Sequence, residues 1–199
     1  MNKIITISRE YGAGGRDIGV RVAEQLGIPL YDRDIVRETV KASGFDLALV
    51  EEEGEDISKA TSIFKSICAF TASNYQDPQD AIYDVQQAVV LRFAQEGPCV
   101  ILGRCADDTL QKAGVDCLNV FIHADDVSRA MRVSEMTGSK NAAEIRKLMT
   151  KKDDSRHTYY HRYTGKVWGS SQNYHMTLDS GALGYDLCVK LICEAAKAE

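Results

Sequence analysis

The chain has 199 residues, 44% of them hydrophobic, enough for one domain with a real core plus a small insertion. No apolar run approaches the ~18 residues of a membrane-spanning helix, and the N-terminus reads as a strand rather than a signal peptide. Glu51, Glu52, Glu53, Glu55 and Asp56 together equal the net charge of −5, while 146–166 carries seven Lys/Arg against Asp153 and Asp154; this balance suits a small anionic ligand and disfavours a long nucleic acid. The six cysteines form no C-x-x-C pair, which points to buried thiols in a reducing cytoplasm and away from zinc.

Residues 3–27 read as strand, glycine-rich turn and helix. Ile4, Ile5 and Ile7 form the β-branched run of a buried parallel strand. Gly12, Gly14 and Gly15 permit positive φ and close backbone approach. Ile18, Val22, Ala23 and Leu26 recur at helical spacing, and Gly27 suits a C-cap. Such a turn aims free N–H groups and a helix dipole at one point, which suits phosphate. It departs from the P-loop template G-x-x-x-x-G-K-[ST]. With Gly14 as the second glycine, Arg9 stands at the first, Gly15 falls at the lysine, and Arg16 follows. In the dinucleotide fingerprint G-x-G-x-x-G, Gly12 and Gly14 fit but Asp17 takes the third glycine, with Asp32 or Asp34 left as the ribose-binding acid.

Ile28–Tyr31 reads as a second strand, ended by Asp32-Arg33-Asp34, and a helix follows from about 34 to 43. The acidic run 51–56 reads as a solvated face. Ile57, Ala60, Ile63, Phe64, Ile67 and Phe70 form a helical core stripe. Asp77-Pro78 breaks the chain before a long helix marked by Ile82, Val85, Val89 and Phe93, ending near Gly97-Pro98. Cys99–Leu102 is a buried strand ending in Gly103-Arg104. Ligands sit beyond the carboxyl ends of parallel strands, so Arg104 points into the crevice beside the glycine turn; the alternative is a structural pair with Asp107 or Asp108. Cys117–Ile122 is another strand, with His123 as a structural polar group at its end. The next helix carries Val127, Ala130, Met131 and Ser134 on one face, and Asn141 to Glu144 resembles a capping box. Tyr174–Leu178 reads as a last strand. Asp179-Ser180-Gly181 leads into a C-terminal helix with Leu183, Leu187, Leu191 and Ala195 spaced by four. Five strands alternating with helices predict an α/β fold with a parallel sheet.

Ile7-Ser8-Arg9-Glu10-Tyr11-Gly12-Ala13-Gly14-Gly15-Arg16, followed by Leu26-Gly27-Ile28-Pro29-Leu30-Tyr31-Asp32, resembles the cytidylate kinase-like family. The resemblance returns at Ile101–Asp107 and at Tyr159–Gly169, then Asn173-Tyr174. It implies a three-layer P-loop NTPase fold with a five-stranded parallel sheet, helices on both faces and a helical lid. One kinase-like domain spans 1–199, with its core in 1–45 and 98–199, an acceptor-side helical insertion at about 46–97, and a lid at about 146–172. It further implies phosphoryl transfer from ATP, with Mg²⁺, to a small nucleotide-like acceptor such as CMP. Gly12, Ala13, Gly14, Gly15, Arg16 and Asp17 would hold the donor phosphates. Arg16 stands in for the missing lysine, and Asp17 is the magnesium ligand or a helix-dipole cap; Ser8 is a further hydroxyl. Asp32, Arg33 and Arg104 would hold the acceptor. Cys105 stands where related cytidylate kinases carry an aspartate. Arg156 and Arg162, among Lys151, Lys152, Tyr159, Tyr160 and Tyr163, would be lid cations that neutralise charge and exclude water. Two other readings stay open: a nucleotide sensor without turnover, and an NAD-binding protein. The oligomeric state is left open.

Overall fold

The structure is a computed structural model that describes residues 4–32, 35 and 78–198. The helix expected at 34–43 (save Ile35), Arg33, the acidic run 51–56 and the stripe 57–70 lie outside the described residues.

Strands β1 (Ile4–Arg9), β2 (Leu30–Tyr31), β3 (Val100–Leu102), β4 (Cys117–His123) and β5 (Met176–Asp179) form one sheet in the order β2-β3-β1-β4-β5. Every pairing is parallel. This is not the 3-2-1 order of the dinucleotide-binding folds, which removes the structural ground for the NAD reading. The described helices are α1 (Gly15–Leu26), α2 (Pro78–Glu96), α3 (Ala106–Lys112), α4 (Asp126–Thr137), α5 (Ala142–Thr164) and α6 (Ser180–Lys197). None of them is long and apolar enough to cross a membrane.

Alternation along the strands sorts the core into two faces. Ile5 and Ile7 of β1 join Val100, Leu102, Val120 and Ile122 against Ile18 and Val22 of α1 and Val189 and Ile192 of α6. Ile4, Ile101 and Cys117 turn the other way, against Val89, Val90 and Phe93 of α2 and Leu110 of α3. The result is a sheet between two helical layers. Gly27 closes α1 as expected, with φ 66° and its N–H on the carbonyls of Ala23 and Glu24.

The structure adds detail to three local readings. On α4 the buried residues are Arg129 and Val133, whereas Val127 and Met131 are exposed. A polar face therefore packs inward there, because Arg129 has carboxylates to meet. On α6 the leucines spaced by four lie at the exposed edge, and Cys188, Val189, Ile192, Cys193 and Ala196 are buried. A strict i+4 row drifts around a helix of ~3.6 residues per turn, so it cannot stay on the core side. The Asn141 side chain caps α5 by accepting from the Ala143 and Glu144 amides, but Glu144 takes the Ser139 hydroxyl instead of completing the box. The five described cysteines are free and buried.

Candidate functional site

Three glycines shape the exit from β1. Gly12 has φ 84° and Gly14 has φ 75°, conformations that cost an L-residue roughly 1–2 kcal/mol. Gly14 is the N-cap of α1 and has no side chain to satisfy the first-turn amides, which point outward without intrahelical acceptors. Close packing demands the same glycines. A Cβ on Gly12 would lie 2.8 Å from the Arg129 carbonyl oxygen, and one on Gly14 would lie 2.0 Å from the Tyr185 hydroxyl.

Helices α4 and α5 grip the backbone on both sides of Glu10. Tyr11 N–H donates to Asp153 Oδ1 at 2.8 Å, and Arg156 Nη1 donates to the Arg9 carbonyl at 3.1 Å. Arg129, itself buried, donates through Nε to the Tyr11 carbonyl at 2.9 Å, pairs with Glu10 at 3.2 Å and with Asp153. Burial pushes the carboxyls of Glu10 and Asp153 up, and the Arg129 guanidinium opposes that shift at both. The turn is thus preformed by protein groups, and its Tyr11 amide is already taken. Asp153→Ala is expected to lower the unfolding free energy by about 1–3 kcal/mol, because it strips a charge-assisted bond and leaves Arg129 underpaired. Asp153→Asn should lose less, since its amide oxygen still accepts from Tyr11. Urea unfolding of the two variants measures the difference.

Beyond β1 and β3, Arg9, Arg104 and Arg156 line one cleft with Ser8, Gly103, Cys105, Tyr159, Tyr160 and Trp168. Its volume is about 30 Å³, room for little more than a water. Arg104 and Cys105 have φ 60° and 54°, two consecutive left-handed non-glycine residues. Such strain persists only where surrounding contacts impose it. Here the Gln87 amide donates to the Arg104 carbonyl, and the Thr109 hydroxyl donates to the Cys105 carbonyl at 3.0 Å. Arg104 Nη1 is buried and, among the described residues, has no hydrogen-bond partner.

The acids near Arg104 in sequence are engaged elsewhere. Asp107 accepts from the Tyr160 hydroxyl at 2.7 Å, and Asp108 pairs with Lys112 at 2.7 Å and Lys166 at 2.8 Å. Burial pushes the Asp107 carboxyl up, against the Tyr160 hydrogen bond. The folded chain therefore binds this proton more tightly than the unfolded one. Stability falls as pH rises from the ordinary carboxylate value through the raised one. Asp107→Asn keeps an acceptor for Tyr160 and removes the buried charge. It is expected to melt higher than the wild type near neutral pH, with the gap closing as pH falls toward ~4. Melting curves across that range test the sign.

The other sequence-identified residues fall into separate pairs. Arg16 Nε donates to Asp32 Oδ2 at 3.1 Å, and Asp32 also lies 3.9 Å from Arg9 Nη2, so the turn and the end of β2 meet there. Asp17 pairs with Arg132, whose guanidinium stacks 4.2 Å from the Tyr185 ring centroid. Arg162 does not line the cleft; it donates to Asp80 of α2 at 2.8 Å. His123 faces a separate cavity of about 420 Å³ with Glu10 and Trp168. Sequence reasoning passed over Arg9, Arg129, Arg132 and Asp153. Arg9 had a signal: it ends a central parallel strand, the same argument that picked out Arg104. Arg129 and Asp153 had none, because their partners lie 118 and 142 residues away at Tyr11.

The residues present suit nucleotide phosphates: an uncapped helix start, a cleft lined by three guanidiniums and one guanidinium nitrogen without a partner among the described residues. Among the described residues no three His, Cys, Asp or Glu side chains group to hold a metal. Magnesium needs only one or two carboxylates beside substrate phosphates, so Asp17 is compatible with it once released from Arg132.

A model of the Cytidylate kinase-like family matches residues 4–182. Among solved structures, an uncharacterized protein of Eubacterium ventriosum superposes with a TM-score of 0.74 at 22% identity, covering 99% of both chains. The shikimate kinase of Bacteroides thetaiotaomicron gives 0.58 at 13% identity over 100% of both chains. A gluconokinase of Sinorhizobium meliloti gives 0.51 at 15% identity, over 98% of this chain and 95% of its own. At these identities the likeness shows the fold alone, the three-layer α/β fold of P-loop NTPases. No curated protein matches the chain.

Proposed function

The chain belongs to the cytidylate kinase-like family, and from that premise we propose that it transfers a phosphoryl group from ATP to a small anionic acceptor, a nucleoside monophosphate such as CMP. The observation that carries this reading is the cleft lined by Arg9, Arg104 and Arg156, with the buried Arg104 Nη1 that has no hydrogen-bond partner among the described residues. An alcohol acceptor must lose a proton and needs a base within hydrogen-bond reach. A phosphate monoester arrives ionised and needs cations. Among its described lining residues the cleft offers three arginines and no carboxylate.

In this reading the amides of Gly12 to Asp17 hold the donor phosphates, while Arg104, with Asp32 and Arg33, holds the acceptor. Arg16 and Arg156 neutralise charge, and Arg162 joins them on release from Asp80. Asp17 would hold magnesium, which screens phosphate charge when bound. The segment 146–172 closes as a lid over the arginine cleft. Five buried free thiols fit a reducing compartment such as the cytoplasm.

The test is ADP release from ATP and magnesium across a panel of nucleoside monophosphates and small alcohols, beside an ATP titration. Turnover with a monophosphate and none with alcohols is expected. ATP binding without turnover would favour a nucleotide sensor, the reading supported by the missing lysine. No ATP binding would overturn both.

A further inference from the structure

The P-loop template places a glycine at its first position and a lysine directly after its second glycine. In this chain those positions hold Arg9 and Gly15. The fold brings the two together. A Cβ on Gly15 would lie 2.4 Å from Arg9 Cβ, 2.8 Å from Arg9 Cγ and 3.5 Å from Ile122 Cβ. Contacts under 3.0 Å are essentially never seen for a real Cβ. Only one of the two positions can therefore carry a side chain. With glycine at the first position, the lysine stem has that space; with glycine at the second, the stem of Arg9 fills it.

We infer that Arg9 supplies the cation of the missing lysine, the glycine and the basic residue having changed places across the loop. This rests on the phosphoryl-transfer reading of the same site. Arg9 ends β1, its side chain is 13% exposed, and it lines the cleft with Arg104 and Arg156. Arg16, the residue that sequence reasoning put forward, is 57% exposed and commits its Nε to Asp32. Asp32 lies 3.9 Å from Arg9 Nη2, close enough to orient that guanidinium before phosphate arrives. During transfer the bond from the γ-phosphorus to the ADP oxygen breaks and one to the acceptor oxygen forms. Arg9 moves no proton; its forked N–H groups balance the charge on the phosphoryl oxygens, where a lysine would act as a point charge.

The test uses Arg9→Met, Gly15→Lys and the double exchange Arg9→Gly with Gly15→Lys, in the full chain. Affinity for ATP with magnesium is read by calorimetry, turnover by ADP release, and folding by circular dichroism. Arg9→Met keeps the packing of the stem and removes the charge; it is expected to weaken ATP binding or turnover by about 10–100-fold. Gly15→Lys alone should melt lower than the wild type, because its stem meets that of Arg9. The double exchange should regain at least about tenfold over Arg9→Met, a recovery that a merely structural arginine would not give. Arg9→Met matching a wild type that binds ATP, or a folded double exchange no better than Arg9→Met, overturns the assignment. A wild type that binds no ATP overturns the phosphoryl-transfer reading and the role of Arg9 together.

Discussion

Arg104→Gly is expected to gain stability and lose activity at once. The gain should be about 1 kcal/mol, because φ 60° is free for glycine and costs an arginine roughly 1–2 kcal/mol. The loss should be about 10²–10³-fold in kcat/KM for an anionic acceptor, the typical cost of deleting one preorganised donor at a transferring group. The opposite signs give the experiment its force. A structural arginine would stabilise the fold, and its removal would lower the unfolding free energy. Arg104 instead holds a buried Nη1 without a partner among the described residues, on a backbone already strained. A desolvated donor without a partner costs the folded state about 1–3 kcal/mol, and a bound phosphate oxygen would recover it. Arg104→Lys should not restore turnover, since an ammonium on a flexible stem cannot reproduce the planar fork. Urea unfolding and steady-state kinetics on the same preparations decide the matter. A destabilised Arg104→Gly variant with normal turnover would leave the cleft without its central contact.

The same residue illustrates what a sequence discloses. Arg104 was legible because it follows a short apolar run, Cys99 to Leu102, and a parallel strand must end where ligands sit. The sheet, its five strands and the glycine turn were legible for similar reasons: each rests on local spacing. The couplings across the site were not. Asp153 reads as one of two acids in a basic helix, and only the fold carries it to the Tyr11 amide. Arg129 is buried while its neighbours Val127 and Met131 are exposed, which hydrophobicity along the helix does not disclose. Its burial follows from Glu10 and Asp153, which long-range packing delivers. Arg16 was put forward because it neighbours the lysine position in sequence. In the fold the Arg16 side chain meets Asp32, while Arg9 lies against Gly15 in space. Pairing by distance and pairing by sequence part company wherever a loop folds back on itself, as this one does.

Gly12→Ala should damage the turn through both its backbone angle and its contacts. Its φ of 84° alone costs an alanine roughly 1–2 kcal/mol. The added Cβ would also lie 2.8 Å from the Arg129 carbonyl oxygen and 2.9 Å from Val133 Cγ2. The carbonyl belongs to the backbone of α4 and cannot swing aside, so the turn and the helix must separate. Overpacking of this kind adds about 1–3 kcal/mol. Separation would also stretch the bond from Arg129 Nε to the Tyr11 carbonyl, which holds the turn in shape. The expected total is about 2–5 kcal/mol, a large share of the 5–15 kcal/mol typical of a folded domain. Gly114→Ala provides the contrast. Gly114 has φ 70°, but its added Cβ would meet nothing within 4 Å among the described residues, so only the backbone cost of roughly 1–2 kcal/mol applies. Chemical denaturation of both variants separates conformation from contact. If the two lose equal stability, the approach of α4 to the turn contributes nothing and Gly12 serves its backbone angle alone. If Gly12→Ala loses more and its ATP affinity falls with it, the helix that carries Arg129 is what holds the phosphate turn in place.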